Sequence, residues 1–248
     1  MSIINLNGLI LKTSPYKERD KLVTIYSPTI GKVQALCKAA RDPMNHWTSS
    51  IDPPLLAWCS LLERNQFYQL IDIREMNAFP NLREFYPSRM VYHALLEAVR
   101  ILPPAETSEK IFVLLLETLM GIEQEKDSAD WFYYRFMIRF LDLQGFQKDM
   151  SHCGFCHRSV KEGSEKLFFS AFHTCFLCEH CSNQDGTALP VSENLSLMWR
   201  TCQFSRIQDF SRERALFFHN FKELDRIISV IVKQVFYKDF ATLAEIDG

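Results

Sequence analysis

Short apolar runs separated by turn residues occupy positions 3–78. Gly8–Lys12 forms the first run, KLVTIY (21–26) the second, and Ser27-Pro28 to Gly31 turns the chain into a third, KVQALC (32–37). These connections are too short to hold helices, so the runs predict a three-strand meander. After an irregular stretch rich in Asp, Pro, Asn and Ser (42–54) come LLAWCSLLE and FYQLIDI, joined at Arg64-Asn65-Gln66, which suits a hairpin turn. Five short strands in about 80 residues predict a small closed barrel, for which the OB barrel is the commonest solution; an SH3-like barrel is also compatible.

The period changes after Pro80 and Pro87. From Ser88, Val91, Leu95, Ala98, Val99 and Leu102 fall on one helical face until Pro103-Pro104 stops the helix. Thr107 or Ser108 can cap the next helix, IFVLLLETLM, and Asp127 or Ser128 can start a third, WFYYRFMIRFLDL, with Gly145 as its C-cap. The third is apolar nearly all round, the pattern of a buried core helix. Later, Ser192 opens a helix through Trp199, a polar linker spans Ser205 to Glu213, and Phe221, Leu224, Ile227, Ile228, Ile231, Val232 and Val235 recur at helical spacing. The expected fold is α+β and multidomain: a five-stranded OB barrel over 1–80, then an all-α domain in two parts, 81–149 and 185–248, around an insert at 150–184.

Composition keeps this within ordinary globular proteins: 47% of residues are hydrophobic and 23% charged. No apolar stretch is long enough to cross a membrane, and the N-terminus lacks a basic segment ahead of its apolar run, so neither a transmembrane helix nor a signal peptide is expected. The net charge of −2 gives no hint of nucleic acid, but its distribution does. Residues 8–41 carry seven Lys or Arg against two acids, Glu18 and Asp20. Such a local excess can be a phosphate-binding face or a solvated strand surface.

The insert carries the most specific spacing. Five of the eight cysteines lie between Cys153 and Cys181, beginning with the knuckle CGFC. Two Cys-x-x-Cys pairs flanking a short strand-like insert present four thiolates to a tetrahedral ion. Cys153 and Cys156 form the first pair. Cys175, Cys178 and Cys181 are each three apart and leave the second pair ambiguous. The spacer length favours Cys175/Cys178. Turn chemistry favours Cys178/Cys181, since CEHC is polar and KLFFSAFHTCFL reads as a hairpin delivering Cys178 at its end. We prefer Cys178/Cys181. Four thiolates leave no open coordination position, so a Zn²⁺ there is expected to be structural, and His152, His157, His173 and His180 bystanders. Clustered thiols without a secretion signal also point to a reducing, cytoplasmic compartment.

In order, GLILKTSPYKERDKLVTIYSPTIGKVQALCKAAR, FMIRFLDLQGFQKDMSHCGFC, FLCEHC and IVKQVFYKDFATLAEI resemble the RecO family of bacterial recombination mediators and DNA repair proteins. The resemblance spans nearly the whole chain. It implies an N-terminal OB barrel, a helical C-terminal domain and, as in many members, a four-cysteine zinc knuckle whose second pair matches Cys178 and Cys181, with Cys175 where glycine is frequent. It implies binding to single- and double-stranded DNA, strand annealing and assistance in loading RecA, with RecR and the acidic C-terminal tail of single-strand-binding protein as partners at the cytoplasmic nucleoid. The family is commonly rich in Arg and Lys after the position of Arg41, whereas this chain continues Asp42-Pro43-Met44-Asn45-His46-Trp47.

No nucleophile–base pair and no phosphate-cradling glycine loop is evident, so the expected function is not enzymatic. Lys12, Arg19, Lys21, Lys32, Lys38 and Arg41 are the expected phosphate contacts. Tyr26, Trp47 and Tyr68 are candidates for base stacking, each better explained as packing. The thinned loop after Arg41 gives some weight to an alternative: a protein-interaction scaffold of a repair complex with weak or no direct DNA binding.

Overall fold

The computed structural model describes residues 2–44, 47, 51–64, 67–103, 108–146, 150–160, 166–204, 206–207 and 221–236. The Asn65-Gln66 turn, the Thr107 cap, Asn45-His46, most of the polar linker and the tail after Phe236 lie outside them. The chain divides into two compact units, Met1–Asp127 and Ser128–Gly248.

In the first unit, five strands close a barrel in the order β1-β2-β3-β5-β4. They are β1 (Ser2–Tyr16), β2 (Asp20–Ser27), β3 (Gly31–Cys37), β4 (Leu55–Arg64) and β5 (Phe67–Asn77). β3 and β5 run parallel through Ala35↔Tyr68 and Leu36↔Gln69, while the other pairs are antiparallel, giving the Greek-key order of an OB barrel. The run at Gly8–Lys12 is only the centre of β1. Its first part pairs with β4, its second with β2, and the register shifts between Ile10 and Lys12 where it passes from one partner to the other. Leu6, Ile10, Val23, Ile25, Ala35, Leu55, Ala57, Leu61 and Leu70 fill the interior.

Three helices belong to the same unit: α1 (Pro80–Glu84), α2 (Tyr86–Arg100) and α3 (Glu109–Gln124). The prolines that marked the change of period sit in the first turns of α1 and α2, where the missing N–H costs nothing. The carboxylate of Glu123 on α3 accepts from the N–H groups of Asn81 and Leu82, capping α1 from outside. Ser108 caps α3 through the Ile111 N–H.

In the second unit, α4 (Ala129–Leu143) is buried along nearly its whole length, from Trp131 through Ile138 and again at Phe140 and Leu141. It ends in a Schellman motif: Gly145, at φ 76°, donates its N–H to Asp142, and Phe146 donates to Leu141. A three-stranded sheet follows, ordered β7-β6-β8, from β6 (Leu167–Ser170), β7 (Cys175–Cys178) and β8 (Ala188–Val191). The short α5 (Glu179–Ser182) leaves β7 directly, and α6 (Glu193–Phe204) and α7 (Phe221–Phe236) pack against α4.

Candidate nucleic-acid interface and metal centre

Two loops meet at one end of the barrel. The Arg41 N–H donates to the Arg19 carbonyl at 2.9 Å, the Arg41 guanidinium to the Lys17 carbonyl at 3.1 Å, and the Ala39 N–H to the Asp20 carboxylate at 2.9 Å. The turn after β1 is thereby joined to the segment after β3, and Lys17, Arg19, Lys38 and Arg41 stand together and exposed. Lys17 and Ala39 adopt left-handed φ values of 53° and 50°, a conformation non-glycine residues rarely take without cause. Tyr16, 38% exposed, closes β1 with the Lys17 ammonium 5.4 Å from its ring centroid. Lys21 is at the same end, opposite Cys37, with its ammonium 3.6 Å from the Asp52 carboxylate. Lys12 is exposed further along β1, opposite Thr24.

Lys32 is placed differently. It pairs with Tyr26 at the far end of the β2–β3 ribbon, and its ammonium donates to the carbonyls of Arg100 and Leu102 at the end of α2. The Arg100 carbonyl is among the acceptors that a helix C-terminus leaves without an intrahelical partner, and that of Leu102 lies just beyond the C-cap Ile101. Lys32 therefore acts as a helix cap in this fold. Tyr26 is fully buried against Phe112, its hydroxyl donating to the Ser108 carbonyl at 3.3 Å, and Trp47 and Tyr68 pack on the barrel core.

The cysteine cluster is assembled in the second unit from two short turns. Residues 151–160 form a small hairpin, with Cys153 donating its N–H to Arg158 and His157 donating to Cys153. The Gly154 N–H reaches across to the Phe176 carbonyl on β7 at 2.9 Å. Cys178 ends β7 as the N-cap of α5, and Cys181 follows within that helix. The sulfurs of Cys153, Cys156, Cys178 and Cys181 lie within 4.8 Å of one another, and that of Cys156 is 3.8 Å from that of Cys178. Sulfurs about 2.3 Å from a tetrahedral ion are about 3.8 Å apart, so the donor set fits a metal ion without rearrangement of this edge.

Cys175 is excluded by strand geometry. Three residues before Cys178 on the same strand, it points to the opposite face. There it packs on Gly154, where an added Cβ would lie 2.3 Å from the Cys175 sulfur.

Burial opposes charge on the Cys153 thiol, but the N–H groups of Cys156, Cys178 and Phe155, with the Cys156 thiol, outweigh it and bring the pKa down to about 6. Burial and then the neighbouring thiols push Cys181 up to about 12, and burial raises Cys178. A cation among the sulfurs would offset the burial that opposes charge on Cys178 and Cys181.

The N-terminal family model for recombination protein O matches residues 1–71, and the C-terminal model matches residues 91–240. The chain belongs to the RecO family. It is 26% identical to the DNA repair protein RecO of Thermodesulfovibrio yellowstonii over 186 residues, 74% of this chain and 73% of the relative. It is 27% identical to that of Acetivibrio thermocellus over 202 residues, covering 78% and 76% of the two chains. With the RecO of Syntrophobacter fumaroxidans, identity is 25% over 217 residues, covering 87% and 86%. Family membership places the chain in DNA repair and recombination.

Two further residues of this RecO-family barrel stand at the joined loops. Lys17 is one of seven cations between residues 8 and 41, and Tyr16 precedes it at the end of β1. The signal available for both was their position in PYKERD, the turn joining the first two runs. Among the described residues, no helix is long and apolar enough to cross a membrane.

Proposed function

We propose that the chain binds single- and double-stranded DNA through the joined loops at the end of the barrel and brings complementary strands together without bond chemistry. The observation that carries this reading is the exposed group Lys17, Arg19, Lys38 and Arg41, drawn together by the bonds from Arg41 to Lys17 and Arg19. Phosphates of two strands repel, and a fixed cationic surface lowers that repulsion while raising their local concentration. Lys12 extends the surface along β1. Lys21 contributes less because Asp52 faces it, and the proposal leaves Lys32 out because its ammonium bonds the Arg100 and Leu102 carbonyls. Tyr16 offers an exposed ring for one unpaired base.

Zn²⁺ held by Cys153, Cys156, Cys178 and Cys181 would supply a cross-link between the 151–160 hairpin and the β7–α5 junction. The four cysteines would hold it, and among the described residues no further His, Cys, Asp or Glu joins their cluster. RecR, the acidic tail of single-strand-binding protein and a functional link to RecA at the cytoplasmic nucleoid complete the proposal, on the strength of family membership.

The test is fluorescence anisotropy of labelled single strands and duplex with wild type and Lys38→Glu/Arg41→Glu. If Lys12, Lys17, Arg19, Lys38 and Arg41 all engage a single strand, log K falls against log salt with a slope near about −3.5, at roughly −0.7 per contact. The double variant is expected to flatten the slope and weaken binding at least about tenfold, measured well below its unfolding temperature because the Arg41 guanidinium bond to the Lys17 carbonyl is lost as well. Unchanged affinity and slope would overturn this reading. That result would favour the scaffold alternative, for which Glu18, Asp20 and Asp42 in the same loops and the 94% exposed Met44 beside them are the supporting observations.

A further inference from the structure

The four clustered cysteines are not equivalent. Cys153, Cys178 and Cys181 are 0%, 7% and 3% exposed, whereas Cys156 is open to solvent. The Cys156 sulfur lies 3.8 Å from that of Cys178, which belongs to the other turn. The most accessible sulfur and a buried one therefore face each other across the two halves of the site. We propose that Cys156 and Cys178 form a peroxide-oxidisable pair whose disulfide releases the metal. The proposal rests on the zinc reading given above.

The step balances with hydrogen peroxide as the two-electron oxidant. The Cys156 sulfur attacks one peroxide oxygen, the O–O bond breaks, and hydroxide leaves and is protonated to water. The resulting sulfenic acid on Cys156 is attacked by the Cys178 sulfur. The S–S bond forms, and the departing hydroxide takes a proton to become a second water. Two thiolates, one peroxide and two protons become one disulfide and two waters. The ion keeps its charge and retains only Cys153 and Cys181, too few donors for a closed tetrahedral site.

Closing to a disulfide length of about 2.05 Å requires the two sulfurs to approach by roughly 1.8 Å. Cys156 lies on the exposed hairpin turn, where such a movement displaces little packing. The product still links the 151–160 hairpin to the β7–α5 junction, as the metal does. Oxidation thus exchanges one cross-link for another between the same two segments, and the second unit keeps its tether while losing its ion.

The experiment uses the full chain with its zinc content measured first. Hydrogen peroxide is added with a chromophoric zinc chelator, samples are quenched by alkylation over time, and peptides are mapped by mass. The expected result is one zinc released per disulfide, with Cys156 the first residue protected from alkylation and Cys178 its partner. Cys156→His keeps a Cys₃His donor set, and its peroxide-driven release should be at least about tenfold slower because the exposed thiolate is gone. Equal release from this variant, or a first disulfide that excludes Cys156, overturns the proposal. Should Cys156→His fail to hold zinc, the alkylation order in the wild type decides alone. A chain that purifies without zinc and takes none up removes the metal reading and this proposal with it. Zinc-loaded protein that keeps its ion in peroxide overturns only the present proposal.

Discussion

Replacing Lys32 by Met keeps the aliphatic stem and removes the ammonium. Two charge-assisted bonds to the Arg100 and Leu102 carbonyls are lost, together with a cation placed at the negative end of α2. Lys32 is only partly buried, so water can replace part of what is removed. Taking about 0.75 kcal/mol per bond, reduced for that exposure, and about 0.5 kcal/mol for the helix end, the expected destabilisation is about 2 kcal/mol. The first unit spans Met1–Asp127. At about 2.1 cal/mol/K per residue its unfolding entropy is about 0.27 kcal/mol/K, which converts the loss to a fall in Tm of about 7 °C. The assay pairs thermal unfolding by circular dichroism with strand anisotropy well below the transition. Lower Tm with unchanged DNA affinity is expected. An unchanged Tm with affinity reduced tenfold would refute the reasoning and return Lys32 to the phosphate-binding surface.

Two further predictions concern the second unit. Gly154→Ala places a Cβ 2.3 Å from the Cys175 sulfur and 2.9 Å from its Cβ, an overpacking expected to cost about 1–3 kcal/mol. Cys175→Gly should relieve it where Cys175→Ala does not, giving a coupling of about 1–2 kcal/mol in a double-mutant cycle read by thermal unfolding and by zinc retention against a chelator; additive effects would contradict the contact. Asp185 accepts from the Ser170 hydroxyl and from the Thr187 hydroxyl and N–H, and these bonds hold its carboxyl below the ordinary value. A depressed pKa contributes stability above the unfolded value of about 3.9 that is lost as pH falls through the folded value. Asp185→Asn should therefore be less stable than wild type at neutral pH, by an amount that solvent screening keeps small, with the gap closing below about pH 4. A gap constant from pH 7 to pH 2, followed by denaturant unfolding, would show that ionisation plays no part.

The barrel was legible because each strand needed only its own run of apolar residues and a turn. What escaped the sequence depended on distant partners. Lys32 and Lys38 look alike as cations in and beside one strand, and only the end of α2, 68 residues later, separates a cap from an exposed charge. α1 was hidden because Pro80 and Pro87 resemble stops, although both lie in first turns. β8 is four residues long and contains Pro190, so neither its length nor its composition announced a strand. Among the cysteines, spacing left Cys175 and Cys181 as rivals. The two-residue period of β7 separates them, since Cys175 and Cys178 cannot face one ion from opposite sides of a strand. The order of the two knuckles, by contrast, was evident from the chain alone.

The bonds from the Arg41 N–H to the Arg19 carbonyl and from the Ala39 N–H to the Asp20 carboxylate have a kinetic meaning as well. Loops that carry binding residues are commonly ordered by their ligand, and part of the contact energy is spent on that ordering. Here the main chain bearing Lys17, Arg19, Lys38 and Arg41 is held by those bonds, so on the proposed reading mainly side-chain ends would remain to be settled when a strand binds. Encounter is then governed by charge and diffusion, and departure by a handful of screened contacts. On the proposed reading, such a surface would exchange strands rapidly, as annealing requires of a protein that releases a duplex once its two strands have paired.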